Sequence, residues 1–137
     1  MKIIQISVFL ENVIGRIGEV TKALSAADVN MQAISIADTK DFGILRLIVS
    51  DNDLAMRTLS DAGFTVKETP VAAVEIEDHP GSLAEVLELF EKNEVNIEYL
   101  YTSFMRGKGE KAVIIIKLEN YDKGMKLIME KGIAYEV

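Results

Sequence analysis

The chain has 137 residues, about half of them apolar, and a formal net charge of −7, enough for one ordinary domain or two small ones. The acidic balance argues against nucleic acid, which calls for a basic stripe, and against anionic membrane surfaces. Lack of cysteine and a single histidine exclude thiolate and His-rich metal centres.

From the start of the chain, Ile4, Ile6, Val8 and Leu10 alternate with polar positions, the period of a strand. Met1 leads almost directly into it, so no cleavable leader is expected and a cytoplasmic setting is. The loop `LENVIGRIG` follows, then a helix with Ile17, Val20, Leu24 and Ala27 on one side. `MQAISIAD` and `GILRLIV` read as two strands around `TKDFG`. A second helix begins at a polar cap near Asp51-Asn52 and ends at Gly63, where glycine tolerates a left-handed backbone. The short strand `FTVKE` closes this half.

The order then repeats. A strand enters `IEDHPGSLA` and a helix with Leu83, Val86, Leu87 and Phe90 together, while Glu85, Glu88, Glu91 and Lys92 face water. `NIEYLYTSF` and `AVIIIKL` flank `RGKG`. A last helix runs from a cap near Asn120 to Gly132, and `IAYEV` ends the chain. The apolar run Ala112–Ile116 is too short to cross a bilayer.

Sliding the sequence over itself supports two copies. At a shift of 66, Val8 falls on Val74, Gly15 on Gly81, Asn30 on Asn96, Gly43 on Gly109 and Ile48 on Ile114. An insertion of three residues near `KLENY` then moves the shift to 69, where Asp53 falls on Asp122 and Gly63 on Gly132. The expected domains are 1–68 and 69–137, joined by a short turn around Thr69-Pro70. Each reads β-α-β-β-α-β, an α+β ferredoxin-like unit with an antiparallel sheet and both helices on one face. Val113 and Ile115 oppose Ile114, Ile116 and Leu118, and Ile44 and Ile48 oppose Leu45, Leu47 and Val49, so the sheets expect cover on both faces. Met56, Met125 and Met129 read as core filler, and Tyr99, Tyr101 and Phe104 as a packed sheet face.

The loops before the first helices carry the chemistry. Gly15 and Gly81 permit a tight turn and close approach, Pro80 stiffens the second loop, and the first amides of a helix carry partial positive charge. Amides and the carboxamides of Asn30 and Asn96 suit a carboxylate; Asp78, side-chain oxygens and carbonyls suit an ammonium. That is a zwitterion site without a nucleophile, base and orienter. The asparagines open the second strands, so a neighbouring copy's loop is needed to complete a pocket. The plainer readings stand beside this one: turn glycines, asparagines satisfying the backbone, Asp78 complementing the helix dipole and His79 as a loop residue.

`ENVIGRIGEVTKALSAADVNM` and `EDHPGSLAEVLELFEKNEVNI` resemble the signature of ACT domains, roughly Asp/Asn-x-Pro-Gly-x-Leu, a helix, then Gly-Val-Asn-Ile. The resemblance spans nearly the whole chain as tandem copies. It implies ligand-binding residues Asn12, Gly15, Ile17 and Asn30 in the first copy. In the second it implies Asp78, His79, Gly81, Leu83 and Asn96. It implies a non-catalytic sensor that binds a free amino acid between modules and regulates a partner. The alternative it leaves open is a regulatory subunit docked on an amino-acid biosynthetic enzyme such as acetolactate synthase. No cofactor, metal, nucleic acid or membrane is expected, and a homodimer is. The chain departs from the pattern at Ile14, where proline is usual, and at Asp28 and Glu94, where glycine is usual.

Overall fold

The computed structural model describes residues 2–38 and 41–136, so Thr39 and Lys40 of the `TKDFG` hairpin and Val137 of the closing `IAYEV` lie outside the described residues. The chain divides into two compact units, Ile4–Thr69 and one built on Pro70–Val137. In chain order the elements are β1 (Ile3–Glu11), α1 (Arg16–Ala26), β2 (Met31–Asp38), β3 (Phe42–Val49), α2 (Asn52–Asp61) and β4 (Thr65–Ile76). They continue with α3 (Ser82–Lys92), β5 (Ile97–Arg106), a 3-10 turn at Lys108–Glu110, β6 (Ala112–Leu118) and α4 (Tyr121–Glu130). Each unit is ferredoxin-like, an antiparallel sheet with two helices on one face.

The helices pack because each buries a stripe spaced four residues apart. The stripes are Val20 and Leu24 in α1, Ala55 and Leu59 in α2, Val86 and Phe90 in α3, and Gly124 and Ile128 in α4. Alternate strand residues meet them: Ile6, Val8, Leu10, Leu45, Leu47 and Val49 in the first unit, and Ala72, Val74, Ile114, Ile116 and Leu118 in the second. A fully buried side chain such as Phe90 contributes roughly 1.5–3 kcal/mol by leaving water. The other face of each sheet is also largely out of solvent: Val113 and Ile115 on β6 and Ile48 on β3 are buried. On β1 the buried polar pair Gln5 and Ser7 is hydrogen-bonded at 3.2 Å.

Register places the repeat differently from sequence identity. In the first unit Val8 pairs with Leu45 and Ile6 with Leu47. In the second Val74 pairs with Ile114 and Ala72 with Ile116. Leu45 therefore corresponds to Ile114, a shift of 69, and the matches of Ile48 with Ile114 and Gly43 with Gly109 are coincidences. Ile48 faces away from the helices whereas Ile114 faces them, which a common fold forbids. The three extra residues lie between Thr102 and Ala112, where β5 shifts register against β6 before Arg106 and where Gly109 and Glu110 both take positive φ, and not near `KLENY`.

Further corrections concern the ends of elements. No turn stands at Thr69-Pro70; β4 runs unbroken through it, because the fixed φ of proline suits extended backbone. Among the described residues, `IAYEV` forms one bridge, Ala134 with Val74, flanked by Glu75 N–H to Ile133 O at 2.8 Å and Tyr135 N–H to Ala73 O at 2.8 Å. Met129 is 66% exposed and Phe104 72% exposed, so neither is core. Met56 and Met125 do pack against their cores.

Candidate functional site

The first helix of each unit starts in the same way. Gly15 sits at φ 91°, ψ −10° before α1, and Gly81 at φ 92°, ψ −15° before α3. That positive φ is a conformation side-chain-bearing residues avoid. A Cβ at either glycine would meet nothing within 4 Å, so the surface outside both turns is open. Arg16 N–H reaches back to Val13 O at 3.4 Å, and Ser82 N–H to His79 O at 3.3 Å. Glu19 N–H bonds Gly15 O and Glu85 N–H bonds Gly81 O. Between these bonds the amides of Ile17 and Gly18, and of Leu83 and Ala84, take no partner among the described residues, and no side chain caps either helix.

The second helices contrast with this. Asp51 accepts Leu54 N–H at 3.1 Å to close α2, and Asn120 accepts Lys123 N–H at 3.1 Å to close α4. Side-chain caps of this kind satisfy one of the orphan amides at a helix start.

Asn30 and Asn96 also share a geometry. Ser50 N–H donates to Asn30 O at 2.9 Å, and Glu119 N–H to Asn96 O at 3.0 Å. Asn30 N–H donates in turn to Ser50 Oγ at 2.9 Å. Both side chains are exposed. Just beyond each asparagine the strand takes in one extra residue, between Met31 and Ala33 and between Ile97 and Tyr99. A bulge of this kind re-aims nearby side chains. The residue two before each asparagine is left-handed, Asp28 at φ 60° and Glu94 at φ 55°. Both hold the conformation for which glycine is the usual choice.

Within one unit the structure does not bring loop and asparagine together. They stand at opposite ends of an 11-residue helix, roughly 16 Å long at 1.5 Å per residue. Asn12 lies in the first loop, its N–H bonded to Asp41 O at 2.9 Å. Ile17 is 44% exposed, off the core stripe where the sequence put it, and Leu83 is half-buried against the second core. Asp78 is exposed.

The two entrances differ in side chains. In the first, Arg16 pairs with Glu19 at 3.0 Å and more loosely with Glu11 at 3.9 Å. These groups are partly exposed, so such pairs are worth about 0–1 kcal/mol. In the second, His79 Nδ1 lies 3.1 Å from Pro80 O and 3.0 Å from Ser82 Oγ. A carbonyl can only accept, so these distances fit a proton on Nδ1. Ser82 is buried and locks this loop; a serine at a helix start is too commonplace for the sequence to single out its hydroxyl.

Tyr121, the first residue of α4, has its phenol raised above the ordinary value by partial burial and by the Asp122 carboxylate. It is protonated at neutral pH and stands outside both loops. Among the described residues no group of three or more His, Asp and Glu side chains could hold a metal, and no helix is long and apolar enough to cross a membrane.

Residues 1–137 match the family described as ACT domain pair. Protein BT0572 from Bacteroides thetaiotaomicron has a similar crystal structure: 39% identity, 99% of this chain and 92% of that one covered, TM-score 0.90. The ligand-free regulatory subunit of aspartate kinase from Thermus thermophilus is 16% identical over 93% of this chain and 90% of that one, TM-score 0.65. E. coli aspartokinase III, in complex with lysine and aspartate, is 15% identical over 94% of this chain and 30% of that one, TM-score 0.53. The last two show likeness of fold. No protein with a curated description matches the chain. With its two βαββαβ units matched from end to end, the chain belongs to the family of ACT domain pairs, a regulatory module.

Proposed function

We propose that the chain is an amino-acid sensor acting in the cytoplasm as a homodimer. In this reading a free amino acid sets its carboxylate on the open amides at the start of α1 or α3. An asparagine from a module of a second copy then completes the site. The carrying observation is the contrast among four helices: α2 and α4 close their own starts with a side chain, whereas α1 and α3 leave theirs open in matching geometry. A carboxylate there gains charge-assisted hydrogen bonds together with the dipole, about 0.3–2 kcal/mol from the dipole alone. Regulation requires that the ligand bind one arrangement of copies more tightly than another.

The test is calorimetry with each of the twenty amino acids, beginning with lysine because one structural relative is described with it bound. Binding by one or a few is expected. Asn30→Ala and Asn96→Ala should each weaken it about tenfold or more, the usual worth of a hydrogen bond to a charged group. A double variant that binds like the parent would remove the asparagines from the site. The second reading, a subunit docked on an amino-acid biosynthetic enzyme, draws support from the aspartate kinase regulatory subunit. It predicts silence in calorimetry together with co-purification of a large enzyme.

A further inference from the structure

β5 of the second unit breaks step with its neighbour. Thr102 pairs with Ile114 and Arg106 with Ala112, so Ser103, Phe104 and Met105 stand against Val113 alone. Ser103 braces the bulge: its hydroxyl donates to Val113 O at 2.7 Å and accepts Met105 N–H at 3.2 Å. A bulge re-aims nearby side chains, and here Phe104 is 72% exposed. The first unit has no such break. Ile36 pairs with Leu45 as Thr102 pairs with Ile114, and Ala37 with Ile44 and Asp38 with Gly43 follow in step.

The first unit has a hollow instead. Phe9, Ile44 and Ala37 form a row across β1, β3 and β2 on the face turned away from the helices. With Phe42 and Asp38 they line a cavity of about 280 Å³. Phe42 is 62% exposed and Phe9 43% exposed, so its walls meet solvent. Register puts Glu75 and Lys111 where the first unit has Phe9 and Phe42, and Lys111 pairs with Glu77 at 3.7 Å. One unit thus displays a ring, and the other shapes an aromatic-walled recess that its twin lacks.

We propose that Phe104 of one copy seats in the Phe9–Phe42 recess of a second copy. Ring and recess are both exposed within a single chain, and aromatic walls receive a ring stacked or edge to face. The surrounding charges are complementary. From Arg106 to Lys111 the hairpin carries three cations against one acid, whereas Asp38 to Phe42 carry two acids against one cation, with Glu11 opposite Phe42. Arg106 and Lys108, and likewise Asp38 and Asp41, enter no ion pair among the described residues. Opposite charge around an apolar anchor steers the two surfaces together and disfavours like with like. Each copy carries both halves, so a two-fold dimer makes the contact twice. A ring buries about 150–250 Å², which makes this contact the anchor of a wider interface. It is independent of what the helix entrances bind.

Analytical ultracentrifugation of the full chain tests it. Phe104→Asp removes the ring and sets an acid against acids. Phe42→Arg removes a wall, sets a cation against cations and stands across from Glu11, a favourable cross-strand pair. Circular dichroism of both should match the parent. Each alone should weaken self-association about thirtyfold or more, the worth of a central aromatic anchor. Mixed in equal amounts, the two should associate again, because one intact ring then meets one intact recess and the introduced charges are of opposite sign. Either variant associating like the parent overturns the proposal, as does a mixture that stays apart. A parent that is monomeric at every concentration overturns it together with the homodimer of the sensor reading, on which it rests. Silence in amino-acid calorimetry, with association and its recovery intact, would count against the sensor alone.

Discussion

Val49 and Ala55 in the first unit stand where Leu118 and Gly124 stand in the second. Val49 pairs with Met31 as Leu118 pairs with Ile97, and Ala55 and Gly124 each fall four residues after a capping residue. All four are buried. Where the strand residue grew by a methylene, the helix residue lost its methyl; a Cβ on Gly124 would overlap Leu118 Cδ1. Total volume at this contact is conserved while its parts are exchanged. Repeated units of one chain can therefore drift apart in sequence yet hold the same sheet-to-helix distance, provided the changes come in pairs.

The pairing can be broken most severely at Gly124→Ala, which should cost about 1–3 kcal/mol by overpacking. Adding Leu118→Val should restore most of that in urea unfolding; a double variant as weak as the single one would end the compensation argument. Next in size are Gly15→Ala and Gly81→Ala, each straining a positive φ by about 1–2 kcal/mol. Equal losses are expected, since the two turns share one geometry. The caps follow. Asp51→Ala and Asn120→Ala should each cost about 1 kcal/mol and leave amino-acid affinity alone, which separates helices that close themselves from helices that await a ligand. Smallest is a gain: Glu94→Gly should stabilise by about 0.5–1 kcal/mol through relief of a left-handed glutamate. Asp28→Gly should gain less, because aspartate tolerates that backbone better. Thermal unfolding that shows the reverse order would count against this account of the helix ends.

Much of the fold could be read from the chain because the signals were local. Alternation marks β1 and an unbroken apolar run marks β6 almost to the residue, and Asp51, Asn120, Gly63 and Gly132 bound helices by their own conformational preferences. The position of the insertion was not legible. Gly43 with Gly109 and Ile48 with Ile114 look like matches, and only cross-strand register shows that Ile48 and Ile114 face opposite ways. Pro70 read as a break because proline usually interrupts, whereas here it sits within an extended segment. At the site, the twin glycine turns were expected from spacing alone. The His79–Ser82 contact was not, because it depends on a loop conformation that residue types alone do not specify.

The lengthened β5–β6 hairpin has a practical bearing. Three residues have been accommodated there without disturbing the pairing of Ala72, Val74 or Leu100 with β6. A cysteine placed at exposed Lys108, in a chain otherwise free of thiols, would accept a single dye on the hairpin whose Lys111 pairs with Glu77 of the second loop, giving a direct optical report of how the protein responds to a metabolite.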